Sequence, residues 1–347
     1  MLRAGVAGAT GYAGVELIRL LGLHPEVQLV LAGTESYQGQ EVAAVYPHLR
    51  GRVDLVGQEA AAEALSQCDV VFTSLPHGVT MALAPDVLGA GGRLIDLGAD
   101  FRLRDVATYE AWYKKEHTAP ELVAEAVYGL PELYREQVRD ARLVANPGCY
   151  PTACALAAAP LLKAGVVSPQ GIIFDAKSGV SGAGRGVNLG VHFSEVNENL
   201  KAYNIAGDHR HTPEIEQTLS DLAGEPVVVS FTPHLVPMTR GILATGYFTL
   251  TKACTTEQLV DLFREFYARE PFVRVRPAGD LPTTKQVWGS NYCDIGLKVD
   301  PRTGRVLVVS VIDNLVKGAA GQAIQNMNLL FGLPETTGLL EAAPVYP

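Results

Sequence analysis

The sequence has few of the features that mark membrane, secreted or nucleic-acid-binding proteins. It contains no run of about 18 apolar residues, the length that a helix needs to span a bilayer. Its 28 Lys and Arg residues are outnumbered by 37 Asp and Glu residues, for a net charge of −9, whereas nucleic acids are held mainly by clustered cations. The first residues are strand-like and lack a signal-peptide layout. We therefore expect a cytoplasmic protein that binds neither membranes nor nucleic acid.

Cysteine is also scarce, and its spacing excludes two common uses. The five cysteines are odd in number and lack CxxC or other zinc-ligand spacing, so we expect neither a disulfide framework nor a metal site. They are Cys68, Cys149, Cys154, Cys254 and Cys293. A free cysteine is by default a small buried hydrophobe, and a chemical role for any of them needs a separate argument.

The first 148 residues alternate short apolar runs with helical patterns. Such alternation predicts a parallel, doubly wound sheet of the Rossmann type. The predicted strands are 2–7, 27–32, 69–75, 93–97 and 143–145, and the first helix is 14–23. Residues 101–132 are polar and aromatic, and we predict a helix followed by a loop there. At 347 residues, with 48% hydrophobic and 19% charged residues, the chain is long enough for a second domain.

Beyond residue 150 the pattern changes. An Ala- and Leu-rich stretch at 152–162 predicts a buried helix, with Pro151 in its first turn. Further predicted strands are 171–176, 227–231, 244–251, 294–299 and 306–312, and further helices are 213–222, 256–269 and 314–331. This mixture favours an α+β second domain whose sheet is mixed or antiparallel.

Four glycines at the first strand-to-helix junction indicate a dinucleotide site. Gly5, Gly8, Gly11 and Gly14 recur at every third position. Glycine there lets the backbone turn sharply and approach a pyrophosphate, which the N–H groups of the helix start then bind. A purely structural glycine turn is the alternative.

Cys149 has a setting that the other cysteines lack. The tight turn Asn146-Pro147-Gly148 precedes it, and Pro151-Thr152 opens a helix after it. The positive end of a helix dipole lowers the pKa of a thiol and raises its thiolate fraction, which suits attack on an acyl carbon. A cysteine that only packs in a tight turn would give the same pattern.

A cationic cluster at a second helix start could serve such a nucleophile. His209, Arg210 and His211 precede Thr212, a predicted N-cap, and Pro213, the predicted first helical residue. Two histidines so close together favour a role in proton transfer.

Eight segments together resemble the N-acetyl-γ-glutamyl-phosphate reductases of arginine biosynthesis. They are VAGATGYAG (6–14), SLPHG (74–78), IDLGADFRLRD (95–105), ANPGCYPT (145–152), KSGVSGAGR (177–185), HRHTPEIEQ (209–217), PHLVPMTRG (233–241) and DNLVKGAAGQAIQNMN (313–328). The resemblance implies the architecture of aspartate-semialdehyde dehydrogenase, with a dinucleotide-binding domain at 1–148 that a C-terminal helix at 314–347 rejoins. Residues 149–313 would form the catalytic and oligomerisation domain. It also implies a homo-oligomer, either a tetramer or a dimer.

The resemblance further implies reductive dephosphorylation of a small acyl phosphate through a thioester. Cys149 matches the nucleophile of the family, His211 matches the general acid/base, and His209 is the less favoured candidate for that role. We expect the dinucleotide to contact Gly8, Thr10, Gly11, Tyr12, Ala13, Gly14, Thr34, Ser36, Pro76, Ser178, Gly182 and Asn314. The candidates for binding the phosphate and carboxylate of the substrate are Arg102, Asn146, Arg185, Arg210 and Arg240.

The cofactor is expected to be NADP, with NAD as an alternative. The family commonly carries an Arg near the position of Glu35, and its absence leaves Thr34 and Ser36 as neutral donors to a 2′-phosphate. Two other functions are also compatible with the sequence. One is reduction of a carrier-protein-linked aminoadipyl or glutamyl phosphate in lysine or arginine synthesis. The other is a regulator that senses a dinucleotide without catalysis, although such a protein would need neither Cys149 nor His211.

Overall fold

The structure is a computed structural model that describes residues 1–340 and 344. The helices and strands up to residue 147 are β1 (Leu2–Ala7), α1 (Tyr12–Leu21), β2 (Val27–Gly33), α2 (Val42–Val45), β3 (Gly57–Gln58), α3 (Ala62–Leu65), β4 (Val70–Thr73), α4 (Thr80–Gly89), β5 (Arg93–Asp96), α5 (Val106–Tyr113), α6 (Pro120–Val123), β6 (Val127–Tyr128), α7 (Pro131–Arg139) and β7 (Leu143–Ala145).

The later elements begin with the helix that carries Cys149. They are α8 (Cys149–Lys163), β8 (Ile172–Gly179), α9 (Phe193–Val196), β9 (Lys201–Ala202), α10 (Thr212–Ala223), β10 (Val229–Val236), β11 (Ile242–Thr249), α11 (Thr256–Phe266), β12 (Val273–Val275), β13 (Cys293–Asp300), β14 (Arg305–Ile312), a π-helical turn (Val316–Ala320) and α12 (Gly321–Leu330). The described chain divides into two compact units. Unit 1 is residues 1–147 with 319–340, and unit 2 is residues 148–318.

Unit 1 is built on a parallel seven-stranded sheet with the order β3-β2-β1-β4-β5-β7-β6. Its central strands carry continuous apolar runs, as in β4, where Val70, Val71 and Phe72 are buried. Strands covered on both faces need such continuous apolar runs. The predicted doubly wound fold is confirmed. The edge strand β6 was not predicted, since it lies in the stretch 101–132 that we predicted as helix and loop. A strand of two residues is too short to give a periodic signal.

Helix α12 belongs to unit 1, and all ten of its residues are buried. Its polar side chains therefore bond to other parts of the unit: Asn326 Nδ2 donates to the carbonyl of Gly129 at 2.8 Å and to Oδ1 of Asn146 at 3.0 Å. The prediction of one continuous helix over 314–331 is wrong in its first half. There the chain forms the π-helical turn Val316–Ala320, so α12 begins only at Gly321.

Unit 2 is built on a mixed seven-stranded sheet with the order β12-β13-β14-β11-β8-β10-β9. The pairs β8–β10 and β12–β13 are parallel, and the others are antiparallel. Buried and half-buried residues alternate along β8, β10 and β11, which is the pattern of strands with one covered face. Helix α8 packs on β11 and β14, and α10 packs on α8. The predicted α+β unit with a mixed sheet is confirmed.

Two helix starts differ from prediction by one turn or less. Helix α8 begins at Cys149 itself, three residues before the predicted start, and its N-cap is Gly148. The N-cap of α10 is His211 instead of Thr212, so Thr212 and Pro213 both lie inside the helix. No helix in the described part of the chain combines the length and hydropathy that a membrane span requires.

Two buried carboxylates tie the ends of neighbouring strands together in unit 1. Asp96, the last residue of β5, accepts hydrogen bonds from the hydroxyls of Thr73 and Thr80 at 2.9 and 2.8 Å. Asp100 accepts the N–H groups of Gly78 and Met81 at 2.7 and 3.1 Å and so holds the loop before α4. Burial, and then the charge of Asp100, raise the pKa of Asp96 from 3.8 to about 6.

Replacement of Asp96 by Asn should change how stability depends on pH. The folded protein keeps this proton at pH values where the unfolded chain has lost it, so unfolding releases a proton between pH 3.8 and about 6. The free energy of unfolding of the native protein should therefore fall as the pH rises through this range, and the D96N variant should lack that component. Urea unfolding of both proteins at several pH values measures the difference. Equal pH slopes for the two proteins would contradict the assignment.

Candidate functional site

The glycine turn of unit 1 leaves one side of the backbone open. Gly8 has φ +87°, and a Cβ there would collide with the carbonyl of Ser74. A Cβ at Gly14 would collide with the carbonyl of Gly8, whereas one at Gly11 would meet nothing nearer than 3.5 Å. Gly11 is also the N-cap of α1, whose first turn has no acidic residue and no side-chain cap. These features fit the pyrophosphate of a dinucleotide.

Thr10 and Thr34 connect the glycine turn to the end of β2. Their hydroxyls hydrogen-bond to each other at 2.9 Å, and the Tyr46 hydroxyl donates to the Thr10 carbonyl at 2.8 Å. Thr34 is buried, while Glu35 and Ser36 are exposed. Tyr46 is a neighbour of the glycine turn that no sequence pattern indicated.

The other predicted dinucleotide contacts divide between the two units. Tyr12, Ala13 and Pro76 lie in unit 1, where Pro76 is exposed in the loop that Asp100 holds.

In unit 2, both ends of the Asn314 side chain are engaged: Oδ1 accepts the N–H of Gly241 at 2.7 Å, and Nδ2 donates to the Ser181 hydroxyl at 3.0 Å. The Ser178 hydroxyl donates to the carbonyl of Gly179, and a Cβ at Gly182 would lie 3.0 Å from that hydroxyl. Asn314 therefore joins the turns around 181 and 241, a packing role that the sequence did not reveal.

Cys149 is the first residue of α8 in unit 2. It is partly exposed, whereas Cys68, Cys154 and Cys293 are buried. Burial raises the pKa of the Cys68 thiol to about 11 and also raises the pKa of Cys154. The π-helical turn packs against Cys149 so closely that a Cβ at Gly318 would lie 2.7 Å from Cβ of Cys149.

The His211 ring lies directly over Gly148. A Cβ on Gly148 would be 2.7 Å from Nε2 of His211 and 3.0 Å from two ring carbons. Because Gly148 precedes Cys149, this contact brings an imidazole to the residue beside Cys149. His209 has a different environment: burial, and then the Arg210 charge, lower its pKa from 6.5 to about 4. It is therefore a neutral ring at physiological pH.

Glu214 is a site residue that the sequence reasoning missed. It is buried in the first turn of α10, and its Oε1 accepts the N–H of Gly148 at 2.8 Å. The bond ties the starts of α8 and α10 together and excludes the Gly148 N–H as an oxyanion donor. Acidic residues are common in the first turn of any helix, so nothing in the sequence distinguished this one.

The predicted anion-binding residues have unequal surroundings. Arg102 is buried in unit 1, where it donates from Nε to the Asn146 carbonyl at 2.8 Å and from Nη2 to the Leu97 carbonyl at 2.7 Å. This geometry favours a role in holding the backbone over one in binding substrate. Asn146 is fully buried and is held by α12.

The remaining three arginines lie in unit 2. Arg185 and Arg210 are exposed, and Arg240 contacts the buried carboxylate of Asp313 at 3.5 Å. Within the described residues, no three His, Cys, Asp or Glu side chains cluster as metal ligands would.

Comparison with known proteins identifies the family. Residues 3–141 match the model of the semialdehyde dehydrogenase NAD binding domain, and residues 149–314 match that of the semialdehyde dehydrogenase dimerisation domain. The N-acetyl-gamma-glutamyl-phosphate reductase of Symbiobacterium thermophilum is 85% identical over 346 residues, which cover 100% of this chain and 99% of the relative. The chain belongs to the N-acetyl-γ-glutamyl-phosphate reductase family. The family member from Desulforamulus reducens is 58% identical over 348 residues, covering 100% of both chains.

Solved structures with the same fold are aspartate semialdehyde dehydrogenases. The type II enzyme of Vibrio cholerae, complexed with ASA, has a TM-score of 0.75 at 18% identity and covers 96% of this chain and 98% of its own. The enzyme of Candida albicans with NADP has a TM-score of 0.73 at 19% identity, covering 95% and 98%. At such identity the likeness concerns the fold, and it agrees with the two sheets described above.

Replacement of Gly148 by Ala tests the position of the His211 ring. The backbone at Gly148, with φ −67° and ψ 155°, suits alanine, so the added methyl group acts only by displacing the ring. We expect reductase turnover to fall between about tenfold and a hundredfold, because small displacements of a reacting group are costly.

The matched control for this substitution is Gly89→Ala, where a Cβ would meet nothing within 4 Å. Steady-state rates of both variants, with circular dichroism to verify folding, decide the outcome. A G148A enzyme as active as the G89A enzyme would show that the ring has no catalytic importance.

Proposed function

We propose that the protein reduces N-acetyl-γ-glutamyl phosphate to N-acetylglutamate semialdehyde in arginine biosynthesis, with NADPH as reductant and a thioester on Cys149 as intermediate. The observation that best supports this proposal is the arrangement at the start of α8. There the partly exposed thiol of Cys149 follows Gly148, which the His211 ring covers. The names of the relatives supply the substrate.

In this reaction the Cys149 sulfur acts as the nucleophile. Its thiolate adds to the acyl carbon of the substrate, and the bond from that carbon to the phosphate oxygen breaks. The products of this step are a thioester and inorganic phosphate, which takes a proton from solvent. The thioester lacks the negative charge of the acyl phosphate, so its carbonyl carbon accepts hydride more readily.

His211 is the proposed proton donor and acceptor. As imidazolium it pairs with the thiolate, and it protonates the carbonyl oxygen when that oxygen becomes negative on reduction. It then removes the hydroxyl proton of the hemithioacetal as the bond between carbon and sulfur breaks. The aldehyde leaves, and both groups return to their starting charges.

The open glycine turn of unit 1 suits the cofactor. Gly8, Gly11 and Gly14, with the first N–H groups of α1, would hold its pyrophosphate. When bound, the reduced nicotinamide supplies the hydride. For the anionic groups of the substrate we propose Arg185, Arg210 and Arg240 as ligands, since guanidinium groups match phosphate and carboxylate oxygens.

Replacement of Cys149 by Ser should remove turnover while leaving dinucleotide binding intact. We expect a loss of at least about a thousandfold, because a serine hydroxyl is far less acidic than a thiol and is a much weaker nucleophile than a thiolate. The reverse assay, with N-acetylglutamate semialdehyde, phosphate and NADP, follows reduced nicotinamide by absorbance. Cys254→Ser is the matched control, since Cys254 is also partly exposed. A C149S enzyme with turnover near that of C254S would refute the thioester mechanism.

The preference for NADPH over NADH is a separate proposal. Glu35 and Ser36 are exposed at the end of β2, where such proteins contact the adenosine ribose. Removal of the Glu35 charge in Glu35→Gln should lower the Kd for NADPH by at most about fivefold, as an exposed and screened charge allows, and should leave the Kd for NADH nearly unchanged. Fluorescence titration of both enzymes with both dinucleotides measures this. Tighter binding of NADH than of NADPH by the native enzyme would reverse the proposal.

We also propose that unit 2 associates with a second copy of the chain. The domain model that matches residues 149–314 is described as a dimerisation domain. Large apolar side chains are exposed together in one segment of this unit, namely Val187, Leu189, Phe193, Leu200 and Ile205, and such patches mark contact surfaces.

Charge introduced into this segment should weaken self-association. Light scattering should give the native protein a mass at least twice the 37.0 kDa of one chain. The double substitution L189D/F193D should shift the mass toward 37.0 kDa. Val228→Asp, at an exposed apolar residue outside the segment, is the control. An unchanged mass in the double variant would place the interface elsewhere.

A further inference from the structure

The His209 side chain lies in a cluster of aromatic rings. Its centroid is 5.6 Å from that of Tyr150, 5.4 Å from that of Tyr203 and 5.3 Å from that of Phe231. All three contacts are edge-to-face, and His209 is only 9% exposed. Packing from three sides restricts the ring to one orientation.

In that orientation His209 accepts hydrogen bonds from the main-chain N–H groups of His211, the N-cap of α10, and of Thr212, its first residue. Its Nδ1 accepts the N–H of His211 at 3.1 Å, and its carbonyl accepts the N–H of Thr212 at 2.9 Å. An Nδ1 atom that accepts a hydrogen bond carries no proton, so the His209 ring must be neutral, with its proton on Nε2.

The surroundings of His209 keep it in this state. Arg210 is the adjacent cation, and His211 lies on the same turn with ring centroids 4.9 Å apart. Tyr150 of α8 and Tyr203, which directly follows β9, also face the ring. Both phenols are neutral at working pH, because burial raises the pKa of Tyr203 to about 12 and that of Tyr150 further. The lowered pKa of His209 itself leaves Nδ1 available as an acceptor at every pH above about 5.

We propose that His209 is a positioning residue whose Nδ1 lone pair fixes the backbone of His211 and thereby the place of the His211 ring over Gly148. The inference rests on the proposed function, because it takes His211 as the proton donor and acceptor. It also explains why two histidines stand so close together: one moves protons, and the other holds the first in place without changing charge.

Two substitutions of nearly equal shape separate this role from simple packing. In His209→Asn, the side-chain oxygen lies as many bonds from Cα as Nδ1 does and can accept the same N–H. In His209→Leu, a methyl group occupies that place and accepts nothing. A leucine side chain packs in an aromatic cluster at a lower free-energy cost than a carboxamide does. A packing role therefore predicts that H209L is the more active of the two variants. The positioning role predicts the opposite order of activity.

Turnover is the first readout. We expect H209L to lose at least about a hundredfold in kcat with a small change in KM, which is the range that acid/base catalysis contributes. H209N should retain kcat within about tenfold of the native enzyme, because its side-chain oxygen can still accept the His211 N–H. In H209L that N–H loses this acceptor. Equal losses in both variants, or a greater loss in H209N, would overturn the proposal.

Alkylation of Cys149 by iodoacetamide is the second readout and needs neither substrate nor cofactor. The background is Cys254→Ser, because the other cysteines are buried. In H209L the pH midpoint of alkylation should rise by at least about one unit, since a misplaced imidazolium no longer stabilises the thiolate. In H209N the midpoint should stay near the native one. An unshifted midpoint in H209L would overturn the proposal.

The native protein offers a test that does not depend on folding of a variant. Nitrogen chemical shifts of ¹⁵N-labelled histidine report which ring nitrogen carries the proton, and the His209 signals are assigned by their loss in H209N or H209L. A proton on Nε2 is expected, and a proton on Nδ1 would refute the hydrogen bond. His211→Asn separates this inference from the proposed function: if that variant keeps native turnover, the role of His211 itself is wrong, whatever the His209 variants do.

Discussion

The hydrogen bond from the Gly148 N–H to Glu214 is the constraint on which the arrangement around Cys149 in unit 2 depends. It joins the starts of α8 and α10 through two residues that are 66 positions apart in the sequence, at 2.8 Å inside a buried environment. Loss of a buried acceptor would leave that N–H without a partner, at a cost of about 1–3 kcal/mol. With the two helix starts held together, the first residue of one, Cys149, and the N-cap of the other, His211, must lie close to each other.

Glycine at position 148 is needed for the same reason. Its backbone has ordinary dihedral angles, so the requirement for glycine comes from the imidazole that occupies the space of a side chain. Gly318 meets a similar requirement, because the π-helical turn closely approaches Cβ of Cys149. Glycines thus allow close contacts both at Cys149 and at the residue before it, and π-helical turns often occur at functional positions.

Buried polar groups in unit 1 support the strand that leads to this point. Asn146 follows β7 and is fully buried, with its side chain held by Asn326 of α12 and its carbonyl held by Arg102. Each of these bonds is made by a residue far away in the chain. We interpret the return of the chain to unit 1 through α12 as the means of fixing the end of β7, because an asparagine without these partners would be costly to bury.

Features that depend on local chemistry could be predicted from the sequence. Apolar runs and helical spacing predicted the two sheets, glycine spacing predicted the turn before α1, and the prolines around Cys149 predicted a nucleophile at a helix start. The partners of these groups depend on the fold and could not be predicted in the same way. His209 differs from His211 in its burial and its neighbours. Glu214 bonds to Gly148, and both ends of the Asn314 side chain form hydrogen bonds within unit 2. A hydrophobic period or a helix cap is set by neighbours along the chain, whereas a pKa shift or a buried hydrogen bond is set by neighbours in space.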